Sequence, residues 1–290
     1  MPDARYQLVH LNNGSTSIRS LEAAETFHPV VGPVAEAQAL YVNQLQLRER
    51  LASHHGEFVI WDVGLGAAAN ILTVLRATRD LAAQIRVASF DCTLEPLEFA
   101  LQHANELGYF GGYETRLREL LSHRRVAFVD NQQSVNWEFH LGDFPTLLNN
   151  KVNGITKKHF GASPHAILFD AYSLVRNPAM WTLPLFTNLF QLLEPDQPCL
   201  MPTYSRSTIL RVTLLLAGFY VGVGHATGEK TETTIAANQV DLLQEPLDRR
   251  WLERARRSHR AEPLHEPVHR VAPLSPESWE RLQAHPQFSA

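Results

Sequence analysis

Between residues 58 and 237, short apolar runs alternate with amphipathic stretches, the rhythm of strands joined through helices. The first unit is the clearest. Phe58-Val-Ile-Trp-Asp-Val63 is a strand-length apolar run, Gly64-Leu-Gly66 a tight turn, and Ala67 to about Thr78 a mostly apolar helical segment. Glycines spaced by one permit positive φ and let a ligand approach the backbone, as nucleotide-binding βα units require. A tight βα turn without a ligand uses the same two glycines, so this pattern alone leaves both readings open.

Later runs repeat the plan. Ile85 to Asp91 predicts a second strand ending in an acid, followed by a helix from Leu94 to Leu107. In such folds the acid ending this strand meets the ribose hydroxyls of an adenosyl ligand. Asp91 suits that role, Glu95 competes for it, and a solvated acid at a helix start is the plainer alternative for both. Gly111-Gly112 breaks the chain, Glu114 to Ser122 is helical, and Val126 to Asp130 is extended. Val135 to Leu141 alternates as a third strand and ends at Gly142-Asp143, where an acid can accept the adenine amino group. Lys151 to His159 is a polar, exposed insertion. The fourth strand, from Ala166, is apolar until Asp170, a pattern of burial on both faces of a parallel sheet. Asp170 therefore sits at a carboxyl strand end, where such sheets place their sites. A loop through Trp181 and a helix to about Leu193 follow. Cys199 to Tyr204 is a fifth strand, and a helix runs on to Ala217, stopped by Gly218. Phe219–His225 and Thr233–Ala237 close as a hairpin, so the last strand is antiparallel.

The fold class is therefore α/β: a Rossmann-like, mostly parallel sheet with an antiparallel last strand. That describes a class I methyltransferase sheet better than a dinucleotide-binding one. An N-terminal hairpin precedes it, with strands flanking Asn12-Asn13-Gly14. A loop shaped by Pro29, Gly32 and Pro33 then leads into a helix through about Leu51, and serves either as a substrate wall or as an ordinary connector. The expected division is a hairpin and substrate-side cap over 1–50, a catalytic domain over 51–240, and a charged, proline-rich extension over 241–290.

Composition narrows the partners. The 290 residues are 44% hydrophobic and 19% charged, enough for a real core, and the formal net charge is −4. No general grip on polyanions is written into that balance, so any nucleic-acid contact needs a local basic patch. The strongest one is Arg249, Arg250, Arg254, Arg256, Arg257 and Arg260, which also reads as a solvated amphipathic helix. Cys92 and Cys199 have no metal-type spacing, and His259, His265 and His269 form no recognisable metal triad, so no metal is expected. The opening Met1-Pro-Asp-Ala-Arg-Tyr6 lacks a leader's apolar core, and no run approaches a membrane span of about 18–20 residues. A cytoplasmic protein without membrane contact is the expectation.

Ordered blocks then carry a resemblance over residues 20–240: Glu25-Thr-Phe-His-Pro29 with Gly32-Pro33 and Glu36-Ala37; Asp62-Val-Gly-Leu-Gly66 with Asn70; Ser89-Phe-Asp91; Leu141-Gly-Asp143; Phe169-Asp-Ala-Tyr172 with Asn177-Pro-Ala-Met-Trp181; and Gly228-Glu-Lys-Thr-Glu232. Together they resemble the methyltransferase domain of the MnmC type, which makes 5-methylaminomethyl-2-thiouridine at the tRNA wobble position. The Asp-Ala-aromatic block is the most specific and the glycine turn the least. The fused oxidoreductase domain of some relatives has no counterpart. The chain departs from the family at Ala67-Ala-Ala69, where a further glycine and a threonine are usual. It departs again at Leu174, where a proline is usual, and at a basic doublet reduced to Arg211.

The resemblance implies S-adenosyl-L-methionine as cofactor and a tRNA anticodon loop as partner. It implies cofactor contacts at Gly64, Gly66, Asn70, Asp91, Asp143 and Asp170, with Asp170 also the catalytic carboxylate that orients the amine and takes its proton. Tyr172 and Trp181 would wall the sulfonium or stack on a base, and Lys230 would meet phosphate. Two other classes compete: a transferase of methyl or aminopropyl groups to a small amine, and a binding or scaffold relative that has lost the cofactor.

Overall fold

The computed structural model describes residues 5–152, 161–228 and 230–289. The chain divides into two compact units. One holds the residues up to Asp143 with Ala166–Asp170 and Ala226–Thr231; the other holds the remainder. Among the described residues no helix is long and apolar enough to cross a membrane.

The first unit opens with the expected hairpin, β1 (Tyr6–His10) and β2 (Thr16–Ser20), antiparallel, with a short β3 (Glu25–Thr26) added beside β2. After α1 (Pro33–Ala37) the chain does not continue as one regular helix to Leu51. It widens into a π-helical turn over Gln38–Asn43, turns through Gln46 at φ 48°, and resumes as α2 (Leu47–Ser53). The sheet contains β4 (Glu57–Val63), β5 (Gln84–Asp91), β6 (Arg125–Asp130), β7 (Gln133–Leu141) and β8 (Ala166–Phe169). Within this unit their order is β8-β4-β5-β7-β6, parallel except for β6 at the edge. From Phe58 to Val63, and along the whole of β8, every residue is buried, as a sheet covered on both faces demands. The helices are α3 (Ala69–Thr78), α4 (Glu95–Gln102), α5 (Ala104–Leu107) and α6 (Glu114–His123). The single helix expected over 94–107 is split because His103 leaves helical geometry at φ −114°, ψ 28°.

Helix α3 starts within Ala67-Ala-Ala69. Ala68 caps it in the left-handed region, at φ 63° and ψ 11°. The chain thus keeps the conformation glycine favours, although a Cβ strains it by about 1–2 kcal/mol. Ala68→Gly is expected to stabilise the protein by about 1 kcal/mol, net of glycine's greater unfolded-state entropy, measured as a higher urea midpoint at unchanged m.

The second unit contains α7 (Phe144–Val152), a 3₁₀ turn over Pro178–Trp181, α8 (Leu183–Gln191), β9 (Leu200–Thr203), α9 (Thr208–Ala217), β10 (Tyr220–Gly224) and β11 (Thr233–Ala237). Strand β11 is antiparallel to both β9 and β10, as the closing hairpin predicted. The C-terminal stretch packs here through α10 (Arg249–Arg256) and α11 (Pro276–Gln283), burying Trp251, Leu252, Leu282 and Phe288. It also covers β10. Val223 N–H donates to Glu245 O and Leu247 N–H to Val221 O. The Gln287 amide bonds both Val221 N–H and Val221 O, each at 2.8 Å. A Cβ on Gly222 would meet Glu245 O at 2.8 Å, so this close approach requires glycine. Most of the insertion expected over 151–159 lies outside the described residues.

Candidate active site

In the first unit, backbone hydrogen bonds knit four carboxyl strand ends together. The amides of Gly64 and Leu65, after β4, donate to Phe90 O of β5 at 2.9 and 3.2 Å. Gly142 N–H, after β7, donates to Asp91 O at 2.9 Å, and Asp170 N–H, after β8, to Val63 O at 3.0 Å. The glycine turn, Asp91, the Gly142-Asp143 pair and Asp170 therefore share one edge, where parallel sheets bind ligands.

The glycine turn is built for backbone approach. Gly64 and Gly66 have φ of 92° and 51°, and a Cβ on Gly66 would touch the Phe27 ring at 3.4 Å, an ordinary contact. Gly66 N–H donates to Asp91 Oδ2 at 2.9 Å, and Thr93 N–H to Asp91 Oδ1 at 3.3 Å. Burial pushes Asp91 upward, against the pull of these amides. Glu95, the competing acid, is instead held by Arg5 at 2.6 Å. Asp143 is exposed just beyond β7.

Asp170, with 16% of its side chain exposed, is the centre of a largely enclosed polar cluster. Asn70, in the first turn of α3, donates Nδ2 to Asp170 Oδ2 at 2.6 Å. A carboxylate only accepts, which fixes the amide's orientation and aims Asn70 Oδ1 elsewhere. Among the described residues that buried oxygen has no partner. On the other side stands His28, whose Nε2 lies 3.6 Å from Asp170 Oδ2 while its Nδ1 lies 3.7 Å from Glu36 Oε1. His28 occupies the left-handed region at φ 48°, an uncommon conformation for a residue with a side chain.

The electrostatics follow from burial opposed by charge. Burial pulls His28 toward the neutral form, but Asp170 and Glu36 outweigh it and hold the imidazole above its ordinary pKa. Burial would raise Glu36, yet His28 and then Lys230 carry it below the usual carboxylate range. For Asp170 burial wins and raises it, with His28, Asn70 and Lys230 each pulling the other way. Lys230 lies in the 226–231 loop of the same unit, and its charge lowers both carboxylates. His28, Glu36 and Asp170 each offer an atom within 4.8 Å of the others, a spacing that a divalent cation could use. As arranged here, the imidazole stands between the two carboxylates and pairs with both.

Tyr172 and Trp181 belong to the second unit. Trp181 is 2% exposed, donates Nε1 to Tyr172 O at 2.7 Å, and meets the Tyr204 ring edge-on. Tyr204 Oη in turn donates to Ala171 O at 3.0 Å. These aromatic residues brace the 171–181 loop. Tyr172 is only half-buried.

Sequence reasoning singles out Asp170 and Asn70 but gives no role to His28 or Glu36. Both stand in blocks that carry the family resemblance, and that is the available signal. Asp62 likewise reads only as part of the turn motif. It is 1% exposed and accepts the Ser89 hydroxyl at 2.7 Å, while Trp137 Nε1 donates to Ser89 Oγ at 2.8 Å.

These residues suit an adenosyl sulfonium ligand. The turn offers backbone in the positive-φ region with no side chain over it, Asp91 lies beside it, and among the described residues Asn70 Oδ1 is a buried acceptor without a donor. A family profile described as S-adenosyl-L-methionine-dependent methyltransferase matches residues 117–239. The bifunctional protein MnmC of tRNA 5-methylaminomethyl-2-thiouridine biosynthesis from Aeromonas hydrophila is 24% identical over 236 residues, covering 76% of this chain and 34% of that protein. Its counterpart from Pseudomonas savastanoi is 25% identical over 252 residues, covering 81% and 36%. The chain thus spans about a third of the length of these curated relatives. Among solved structures, MnmC2 from Aquifex aeolicus superposes with a TM-score of 0.69 at 20% identity, covering 98% of this chain and 84% of that one. A spermidine synthase in complex with a transition-state analogue shares the fold at a TM-score of 0.52 and 10% identity, covering 98% and 85%.

Proposed function

We propose that this chain, an S-adenosyl-L-methionine-dependent methyltransferase of the MnmC type, methylates the aminomethyl group of the modified wobble uridine of tRNA in the cytoplasm. The observation that carries the reading is Asp170. A half-buried carboxylate at the end of β8 is oriented by Asn70 and backed by the His28–Glu36 pair, on the edge that carries the glycine turn and Asp91.

When bound, S-adenosylmethionine supplies an electrophilic methyl on sulfur. In this reading Gly64 and Gly66 admit it, Asp91 takes its ribose hydroxyls, Asp143 its adenine amino group, and Asn70 Oδ1 one further donor. Attack on a sulfonium methyl is an in-line displacement, so positioning supplies much of the rate. The nucleophilic nitrogen must shed a proton to expose its lone pair, and one proton leaves for each methyl transferred. Asp170 accepts that proton and holds the amine in line. His28, charged between two carboxylates, pulls Asp170 toward its ionised form against its burial, and Glu36 holds the imidazole in place. Tyr172 offers a face for a base or cation, and Lys230 a charge for phosphate.

Purified protein, S-adenosylmethionine and tRNA bearing 5-aminomethyl-2-thiouridine are expected to yield 5-methylaminomethyl-2-thiouridine by nucleoside mass spectrometry. Methylation of a free polyamine with no change in the tRNA would sink this acceptor.

A further inference from the structure

A tRNA substrate needs positive charge to hold it, and the chain as a whole offers 26 Lys and Arg against 30 Asp and Glu. Arg211, the cation left of the family's doublet, is not available. It is 3% exposed on α9, pairs with Glu232 at 3.1 Å, and donates to Thr234 Oγ1 and Thr233 O at 3.0 and 2.7 Å. Its work is to hold β11.

The accessible charge lies on α10, beyond the residues that the family profile matches. Asp248 caps the helix by accepting Trp251 N–H at 2.8 Å. Trp251, Leu252 and Ala255 form one buried face. Arg249, Arg250, Arg254 and Arg256 occupy the rest of the helix, with Arg257 and Arg260 just past its end, and all six are exposed. Among the described residues none of the six forms an ion pair with a carboxylate. Glu253 is the one acid within the helix. Two arginines are braced by groups outside the helix: Arg249 donates to Phe288 O, and Arg256 lies 4.8 Å from the centre of the Trp279 ring. Arg206 is exposed in the loop beyond β9, and it and Arg254 both act on Arg211, so they share one positive field.

A merely solvated helix mixes its signs; like charges crowded on one face repel. An array left unpaired in an acidic protein has a use for its charge. We infer that the arginine face of α10 grips the sugar-phosphate backbone of the RNA substrate. This rests on the tRNA reading above. Guanidinium forks match phosphate oxygens two at a time. A lipid surface fits less well, because the apolar face of α10 is already buried in its own unit and none remains to enter a headgroup layer.

The test is full-length R250Q/R254Q/R260Q, which leaves the two braced arginines intact. Binding to tRNA is measured by filter retention across a salt series. Each lost phosphate contact flattens the slope of log K against log salt by about 0.7–0.9. The variant is expected to bind tRNA at least about tenfold more weakly at ~0.1 M salt, with a slope shallower by about 2. Its S-adenosylmethionine titration and melting temperature are expected to match the parent's. Equal affinity and slope would overturn the arginine surface while leaving the tRNA acceptor standing. Weaker binding at an unchanged slope would also overturn it, as a structural effect. Absence of tRNA binding by the parent would overturn both. Tighter binding to phosphatidylglycerol vesicles than to tRNA would reassign the face to membrane.

Discussion

Asp170→Asn is expected to lower kcat by about 10²–10⁴-fold, the range for a lost general base, while S-adenosylmethionine binding by calorimetry stays close to the parent's. The substitution keeps the side chain's size but removes its capacity to accept a full proton. The partner experiment separates chemistry from packing. In His28→Gln, Asp170 loses the charge that favours its ionised form. The acidic limb of the kcat/KM profile is then expected to move to higher pH, with the KM for S-adenosylmethionine little changed. The sign is fixed by the geometry: removing a cation 3.6 Å from a carboxylate raises the pH needed to ionise it. Parental kcat in the Asp170→Asn variant would refute the role given to Asp170, and an unmoved limb in His28→Gln would refute the one given to His28.

The second large effect is on stability. Burial drives Asp62 up to about 7, against the Ser89 hydroxyl bond, and the charges of Asp170 and Asp91 add to the rise. The native state therefore keeps a proton that the unfolded chain loses near pH 4. The stabilisation this provides is full below about pH 4, fades as pH rises, and is gone above about pH 7. Roughly three units correspond to about 4 kcal/mol as an upper bound. Asp62→Asn keeps an oxygen for Ser89 and cannot ionise. It is expected to flatten the stability profile between about pH 4 and 8, and to gain about 2–4 kcal/mol at the alkaline end. Urea unfolding at both ends of that range checks it; parallel profiles for parent and variant would refute it.

Strands and the glycine turn were legible because their signals are local. A run such as Ala166–Phe169 is fully apolar and buried on both faces, and the closing hairpin could be read from a short polar link between two apolar runs. Boundaries failed where a single residue's backbone decides, as at His103 and Gln46. Asp170 could be read from its position after an apolar strand. His28 and Glu36 could not, because their proximity to it depends on how the loop after β3 folds over the carboxyl edge, and nothing in their own spacing states that. The packing of the 241–290 stretch was hidden by its charge. Trp251, Leu252 and Ala255 carry the buried face, and the arginines around them dominate the composition.

That same stretch has a further consequence at β10. A strand with one open side invites another chain to add to it. Here Gln287, three residues from the chain's last, uses a side-chain amide to imitate the backbone of a neighbouring strand, meeting both the donor and the acceptor of Val221. A third bond at 2.8 Å joins it to Leu247 O. Protection against edge-to-edge association is thus shared between the Glu245–Leu247 backbone and one glutamine side chain, and loss of that side chain would leave the amide of Val221 open to another strand.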